Sequence, residues 1–448
     1  MSAEEPGIDE KVKEFQLRLE GVLKELTEQD EVEVYRNLRI VRAAPEKFGP
    51  QTPSPETPSP VVLRRSLVGR SGRARSMSSR GTRKKAGELV YQADLVKKEV
   101  MEKLRVLGKR VVEDLKRNRW PSVELPLRTT KNIVYDEELR QYVLGPKKSV
   151  RTLSNIRHVR PFAQLVWLAK FAKQLLDSGK TSTLRDTYYV ALGEQIDFED
   201  QSESDEIIME LESLLGHPRE DFNVFPEERA SIYGDLVIEY TIPGFRGRRI
   251  DLSSHPDGYA IGPALTTAEF VRCGAEQVFV IEKGAVFSRF VEEGADRKFK
   301  ALLIHTAGQS PRNCRKLIRR LREELNLPVY VFTDADPYGV HIASVLIHGS
   351  ALSAHIKQIN VPDAVWAGVY ATDITRYKLP TMKFTEMDEK RLSELLVDPR
   401  YQNDPWKREV KYFEKLKRKA ELEAFSKYGL EFIVKDFLPE RLAELQKR

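Results

Sequence analysis

Three acidic residues stand where short apolar runs end. Glu282 follows the run in QVFVIEKGAVF, and Asp334 and Asp336 follow the run in PVYVFTDADPYG. Both runs are rich in β-branched and aromatic residues, are too short for a helix, and lead through a Gly-containing turn into a helical pattern, so each predicts a buried strand. Between them, KALLIHTAGQSPRNCRKLIRRLREEL reads as a further strand and helix. Strands alternating with helices predict a parallel sheet, and ligands bind such sheets at the carboxyl ends of the strands. The three carboxylates then converge there. They repel one another unless a hard cation joins them, and Mg²⁺ takes oxygen ligands of this kind. Asp334 and Asp336 share a face if the strand stays regular through them. Pro337 cannot extend the ladder, and Gly339 allows the chain to turn. A lone D-x-D-P is more simply a polar turn; the acid at the neighbouring strand tip is what favours a metal site.

A second group of reactive side chains lies in TSTLRDTYYVALG. Thr181 or Ser182 can cap a helix there, and Arg185, Asp186 and Tyr189 share a helical neighbourhood by their spacing. A phenol beside a guanidinium suits phosphate chemistry. The hydroxyl has a pKa of about 10 and needs help to attack; arginine can hold a phosphate through two N–H bonds and stabilise its added charge in the transition state. On these residues alone, a surface ion pair beside buried tyrosines is the more economical reading.

Taken together, E-K-x-A-V-F, G-Q-S-P-R-N-C-R, F-T-D-x-D-P-Y-G and the preceding R-D-x-Y-Y resemble the A subunit of archaeal-type DNA topoisomerase VI. That family includes the related meiotic double-strand-break transesterase. The family has Gly between the two aspartates where this chain has Ala335. The resemblance implies a Toprim domain with Glu282, Asp334 and Asp336 as Mg²⁺ ligands. It implies Tyr189 as the nucleophile, with Tyr188 a packing neighbour, and Arg185 as the essential arginine. The implied reaction is transesterification giving a 5′-phosphotyrosyl double-strand break. It is carried out by a homodimer in which the tyrosine of one copy works with the acids of the other. It also implies an ATP-binding B subunit in an A2B2 heterotetramer that relaxes supercoils and unlinks duplexes. No G-x-x-x-x-G-K-[ST] loop occurs, so ATP is expected on the B subunit and not on this chain. LLVDPRY, KAELEA and FLPERL are similar to the C-terminus of the topoisomerase chain and favour it over the meiotic relative. A meiotic-type break-former, a Toprim nuclease or primase-like enzyme, and a non-catalytic winged-helix DNA-binding module are the alternatives.

The elements that must position these groups fill 448 residues, enough for two domains and appendages. Hydrophobic content is 41% and net charge +6, compatible with a polyanionic partner such as double-stranded DNA. No apolar run is long enough to span a membrane, the N-terminus lacks the apolar core of a secretory signal, and two cysteines far apart support neither a disulfide framework nor zinc. A cytoplasmic, chromosome-associated protein is expected. The fold class expected is a multidomain α/β chain: a winged-helix (CAP-like) domain followed by a Toprim domain whose parallel sheet is flanked by helices. The expected divisions are a helical extension (1–44), a Pro/Ser/Arg-rich disordered linker (45–90), the winged-helix domain carrying the tyrosine (91–225) and the Toprim domain with a helical C-terminus (226–448).

Within that frame, Ile8 to Leu26 carry a helical apolar stripe. RRSLVGRSGRARSMSSRGTRKK is an arginine-dense arm that can lie along phosphates. NIVYDEELRQYVLG predicts a hairpin, and RPFAQLVWLAKFAKQLLDSGK an amphipathic helix stopped by Gly179. The helix in DQSESDEIIMELESLLG, capped by Ser202 or Ser204, together with strands in ERASIYGDLVIEY, completes the winged-helix reading. That helix is acidic, which argues against sequence-specific groove reading. Arg246, Arg248 and Arg249 in PGFRGRRIDL, with Arg312 and Arg315, are the candidate phosphate contacts.

Overall fold

The computed structural model describes residues 21–22, 87–356 and 359–447. The expected N-terminal helix, apart from Gly21 and Val22, and the Pro-, Ser- and Arg-rich stretch lie outside the described residues. Among the described residues no helix is long and apolar enough to cross a membrane.

The chain enters through α1 (Gly87–Lys116), then β1 (Ser122–Pro126), the hairpin β2 (Ile133–Asp136) and β3 (Gln141–Leu144), and β4 (Lys148–Thr152), which pairs antiparallel with β1. Helix α2 (Ile156–Ser178) follows, and Gly179 ends it with φ +66°, as the sequence predicts. Phe162, Leu165, Val166, Ala169, Phe171 and Leu175 are buried on it as expected. After β5 (Ser182–Thr183) come α3 (Leu184–Gly193), α4 (Gln201–Leu215) and β6 (Val224–Phe225), the last paired parallel with β5. One apolar core unites α1, α2 and α4, with Val22 packed against it.

A second core lies around a six-stranded sheet. The chain reaches it through β7 (Ser231–Tyr233), β8 (Leu236–Glu239), β9 (Arg249–Asp251), β10 (Tyr259–Ala260) and β11 (Glu269–Cys273). Then β12 (Gln277–Ile281), α5 (Gly284–Glu292), β13 (Ala301–His305), α6 (Arg312–Leu325), β14 (Val329–Phe332), α7 (Pro337–His348) and β15 (Val365–Gly368) alternate as expected. Strand order is β10-β7-β13-β12-β14-β15. The four strands β13, β12, β14 and β15 run parallel, and β7 and β10 add an antiparallel edge. The C-terminal part supplies β16 (Met382–Lys383), α8 (Glu386–Val397), α9 (Trp406–Leu416), β17 (Arg418–Lys419) and α10 (Leu438–Gln446).

One expectation is corrected. ERASIYGDLVIEY does form strands, but they are not a wing on the first domain. Strand β7 joins β13 in the large sheet, and β8 joins β9 and β11 in a separate three-stranded sheet, so the segment belongs to the second core. The reason is pairing: the hydrogen-bond partners of these strands come later in the chain.

The two cores are joined by buried polar contacts. Glu212 on α4 is fully buried and accepts hydrogen bonds from Arg312 Nη1 (3.1 Å) and Nη2 (2.5 Å), from His355 Nε2 (2.9 Å) and from the Arg219 amide (2.7 Å). Burial alone would raise its pKa, but Arg312 and His355 outweigh it and hold the carboxyl far below its ordinary range. His355 Nδ1 is buried with no hydrogen-bond partner among the described residues, which fits a neutral ring donating through Nε2. Lys316 adds an ion pair to Asp221 at 2.5 Å. The β2–β3 hairpin also grips the second domain: Arg140 Nη2 donates to the Pro362 carbonyl (2.8 Å), Tyr142 Oη to Asp398 (3.2 Å), and Asn360 Nδ2 to Gln141 (2.7 Å).

Candidate active site

Helix α3 carries Arg185 and Tyr189. It starts at Thr183, not at Thr181 or Ser182, because the reciprocal cap needs an acid three residues on. The Asp186 amide donates to Thr183 Oγ1 (3.0 Å), and the Thr183 amide donates to Asp186 Oδ2 (3.3 Å). Likewise Asp200, not Ser202 or Ser204, caps α4. At the far end of α3, Glu194 accepts from Trp167 Nε1 (2.9 Å) and Lys170 Nζ (3.0 Å). These polar clamps leave Tyr189 55% exposed. The Arg185 guanidinium lies 6.0 Å from its ring centre and the Tyr188 ring 5.5 Å away, with Tyr188 turned toward the first core. Asp186 is engaged in the cap, so the exposed phenol has a cation beside it and no carboxylate hydrogen-bonded to it.

The acids occupy the carboxyl end of the parallel sheet. All three lie just beyond their strands: β12 ends at Ile281 and β14 at Phe332. Asp334 and Asp336 therefore do not share a strand face. Asp336 instead caps α7, its Oδ1 accepting the Gly339 amide (2.6 Å). Gly339 is needed for close approach within that helix, since a Cβ there would lie 2.1 Å from the Asp334 carbonyl oxygen. Glu282 and Asp334 are 8% and 4% exposed.

Each carboxylate is oriented by one backbone N–H through one oxygen. Glu282 Oε2 takes the Asp334 amide (3.1 Å), Asp334 Oδ1 the Leu422 amide (2.9 Å), and Asp336 Oδ1 the Gly339 amide. Asp334 Oδ2 faces Lys283 Nζ at 3.1 Å, while the second oxygens of Glu282 and Asp336 have no hydrogen-bond partner among the described residues. Burial, then the neighbouring Asp334 and Asp336, push Glu282 up to about 8. Burial and Asp334 push Asp336 up to about 6. Asp334 is raised by burial, against the pull of the Leu422 amide and Lys283. Oriented all-oxygen donors with unbalanced negative charge suit Mg²⁺ in chemistry. The spacing is not that of a ready cage: among the described residues no group of three or more His, Cys, Asp or Glu side chains is gathered as a metal would require. Mutual repulsion and the ammonium on Asp334 act in that direction.

No hydrogen bond, ion pair or ring contact among the described residues joins Arg185 or Tyr189 to the acids. The two groups of candidate residues are therefore separate, one on each apolar core.

Comparison with known proteins matches two separate stretches of the chain. Residues 277–442 match the family model for the Toprim domain of the topoisomerase 6 A subunit and Spo11. Residues 160–224 match the model described as Type IIB DNA topoisomerase. The type 2 DNA topoisomerase 6 A subunit of Methanothermobacter thermautotrophicus is 43% identical over 352 residues, which is 78% of this chain and 98% of that one. The chain belongs to the family of type 2 DNA topoisomerase 6 A subunits. It is thus an enzyme subunit of the topoisomerase class. The corresponding chain of Archaeoglobus fulgidus is 38% identical over 75% of this chain and 94% of its own length, and that of Pyrococcus abyssi 35% over 77% and 94%.

The candidate phosphate contacts fall into two classes. Arg246, Arg248 and Arg249 are exposed, the first two on a loop bent by Gly244 and Gly247 (φ +79° and +80°) and Arg249 at the start of β9, with Arg248 5.0 Å over the exposed Phe245 ring and Arg249 2.8 Å from Glu239. Arg315 is buried, and the Arg312 side chain is 13% exposed. Arg312 is consumed by Glu212, and Arg315 is 6% exposed, with burial lowering its pKa to about 10. Neither is an open surface cation in this chain, unlike Arg246, Arg248 and Arg249. The pattern reading missed Lys283 and the stretch around Leu422 that closes the acid pocket. The E-K pair was the only local signal for the first, and nothing in the spacing announced the second.

Proposed function

We propose that this chain is the DNA-cleaving and rejoining subunit of a type IIB topoisomerase. In this reading Tyr189 Oη attacks a backbone phosphorus of double-stranded DNA. The phenolic O–P bond forms as the bond to the sugar 3′ oxygen breaks, the phenol loses its proton, and the sugar oxygen gains one. Arg185 holds the phosphate beside the phenol and offsets its growing charge. The acids Glu282, Asp334 and Asp336 would hold Mg²⁺, which supplies charge neutralisation at the phosphate and at the leaving oxygen when bound. The product is a 5′-phosphotyrosyl end; a phosphodiester is exchanged for a phosphodiester, so reversal reseals the strand.

The observation that carries this reading is an exposed phenol beside a guanidinium on one domain, with an oriented acid trio on the other and, among the described residues, no contact between them. Two copies then complete each other's sites, and two sites cut both strands. The domain division that goes with it is a winged-helix unit over 91–225 and a Toprim unit over 226–448; separate apolar cores support it. Exposed Arg246, Arg248 and Arg249 would meet the DNA backbone. Strand passage, supercoil relaxation and decatenation require a B subunit that binds ATP, in an A2B2 assembly, cytoplasmic and chromosome-associated. The test is covalent capture: chain, candidate B subunit, duplex and Mg²⁺, stopped with denaturant. Tyr189→Phe should abolish the protein–DNA adduct while duplex binding persists, and Tyr188→Phe should retain it. An adduct that survives in Tyr189→Phe sinks the assignment.

A further inference from the structure

Lys283 follows Glu282 directly, yet its ammonium is not left to water. Nζ lies 3.1 Å from Asp334 Oδ2 and 3.7 Å from Glu421 Oε1. The other lysine of this region, Lys419, is engaged with Asp388 at 2.6 Å. Glu421 arrives on the C-terminal stretch that closes the pocket, where Ala420 pairs with Ala335 and the Leu422 amide holds Asp334 Oδ1. The only Asp334 oxygen not fixed by the backbone is therefore the one that faces Lys283. An ammonium and a divalent ion cannot both sit against one carboxylate oxygen without strong repulsion. Glu421, about half exposed, offers the ammonium a second anchor within reach of a flexible four-carbon stem.

We propose that Lys283 is the resident counter-cation of the acid pocket: it sits on Asp334 in the absence of a divalent ion, withdraws to Glu421 when one binds, and so sets how tightly that ion is held. This rests on reading Glu282, Asp334 and Asp336 as the ligand set. Lys283 is a positioning residue here, acting through Asp334. Its role is to keep the carboxylates from carrying unbalanced charge when the ion is away, at the cost of weaker ion binding.

The test is Mn²⁺ binding to the full chain, read from the loss of the free-ion EPR signal, with Mg²⁺ as competitor. Lys283→Met should bind Mn²⁺ about tenfold more tightly than wild type, the size expected for removing one adjacent positive charge. Lys283→Arg should stay close to wild type. In the Asp334→Asn background the gain from Lys283→Met should largely disappear, because the coupling runs through that carboxylate. Lys283→Gln, with circular dichroism on every variant, guards against a folding defect in the methionine variant. Equal or weaker binding by both neutral variants, while Asp334→Asn and Asp336→Asn still lose affinity, overturns the role of Lys283 and leaves the ligand set standing. Unchanged Mn²⁺ binding in Asp334→Asn and Asp336→Asn overturns the ligand set and this inference with it.

Discussion

Helix α3 and the acid pocket are held by opposite means. Only Thr187 and Ala191 of α3 are fully buried, and the helix is fixed at its ends by the Thr183–Asp186 cap and by Glu194. The acids are fixed at the carboxyl end of the parallel strands, each by a backbone amide. In the proposed reading, the difference follows from what each half-site must meet. A nucleophile for a large external substrate must project. Ligands for a small cation must be held at fixed spacing, and burial of their charge is tolerable only if a cation offsets it. One region gives up burial for reach, and the other accepts electrostatic cost for order.

The largest expected effect tests whether the two regions meet across copies. Mixing Tyr189→Phe chains with Asp336→Asn chains should restore nicking of one strand in the mixed dimers, although each variant alone is inactive. The reason is that one composite site then holds an intact phenol and intact acids. Absence of nicks in a mixture that demonstrably forms mixed dimers would place both groups in a single chain's site.

A smaller effect measures the electrostatic cost in the pocket. The Glu282 carboxyl titrates near 8 when folded and near the ordinary carboxylate value when unfolded, so the folded state binds the extra proton between those limits. That contribution is complete at acid pH and is lost as pH rises through about 8. Glu282→Gln should therefore raise stability in EDTA at pH 8 to 9, by about 1–3 kcal/mol read from thermal unfolding, and the gain should shrink toward pH 5. Saturating Mg²⁺ should reverse the order, since only the intact site gains from binding. A glutamine variant less stable than wild type in EDTA at pH 8 would contradict the account.

The smallest effect concerns the light tethering of α3. Thr183→Ala removes one end of the cap and should cost about 1 kcal/mol. Its signature is a larger fractional loss in adduct formation than in global stability, seen as faster hydrogen exchange confined to α3. Exchange unchanged in α3 would mean the cap does not hold this helix.

Much of this was legible in the chain. The strands β12, β13, β14 and β15 are apolar runs whose burial on both faces leaves a plain trace, and their acids stand out by contrast. Tyr189 and Arg185 were visible only through a motif, since spacing alone favoured a surface ion pair. What stayed hidden depends on partners distant in sequence. Arg312 looks like a free cation in GQSPRNCRK until Glu212, on another domain, is seen to hold it. The strands in ERASIYGDLVIEY were recognisable, but their neighbours were not. The turn chemistry at Asp336 likewise shows only as a polar residue before proline.

The Glu212 cluster has a mechanical corollary. A charge buried with four donors, backed by the hairpin clasp, makes a poor hinge. In the proposed reading, each polypeptide would then swing as one stiff jaw, and the doorway for a passing duplex would open along the border between jaws, with every broken end riding on its own jaw until the door shuts.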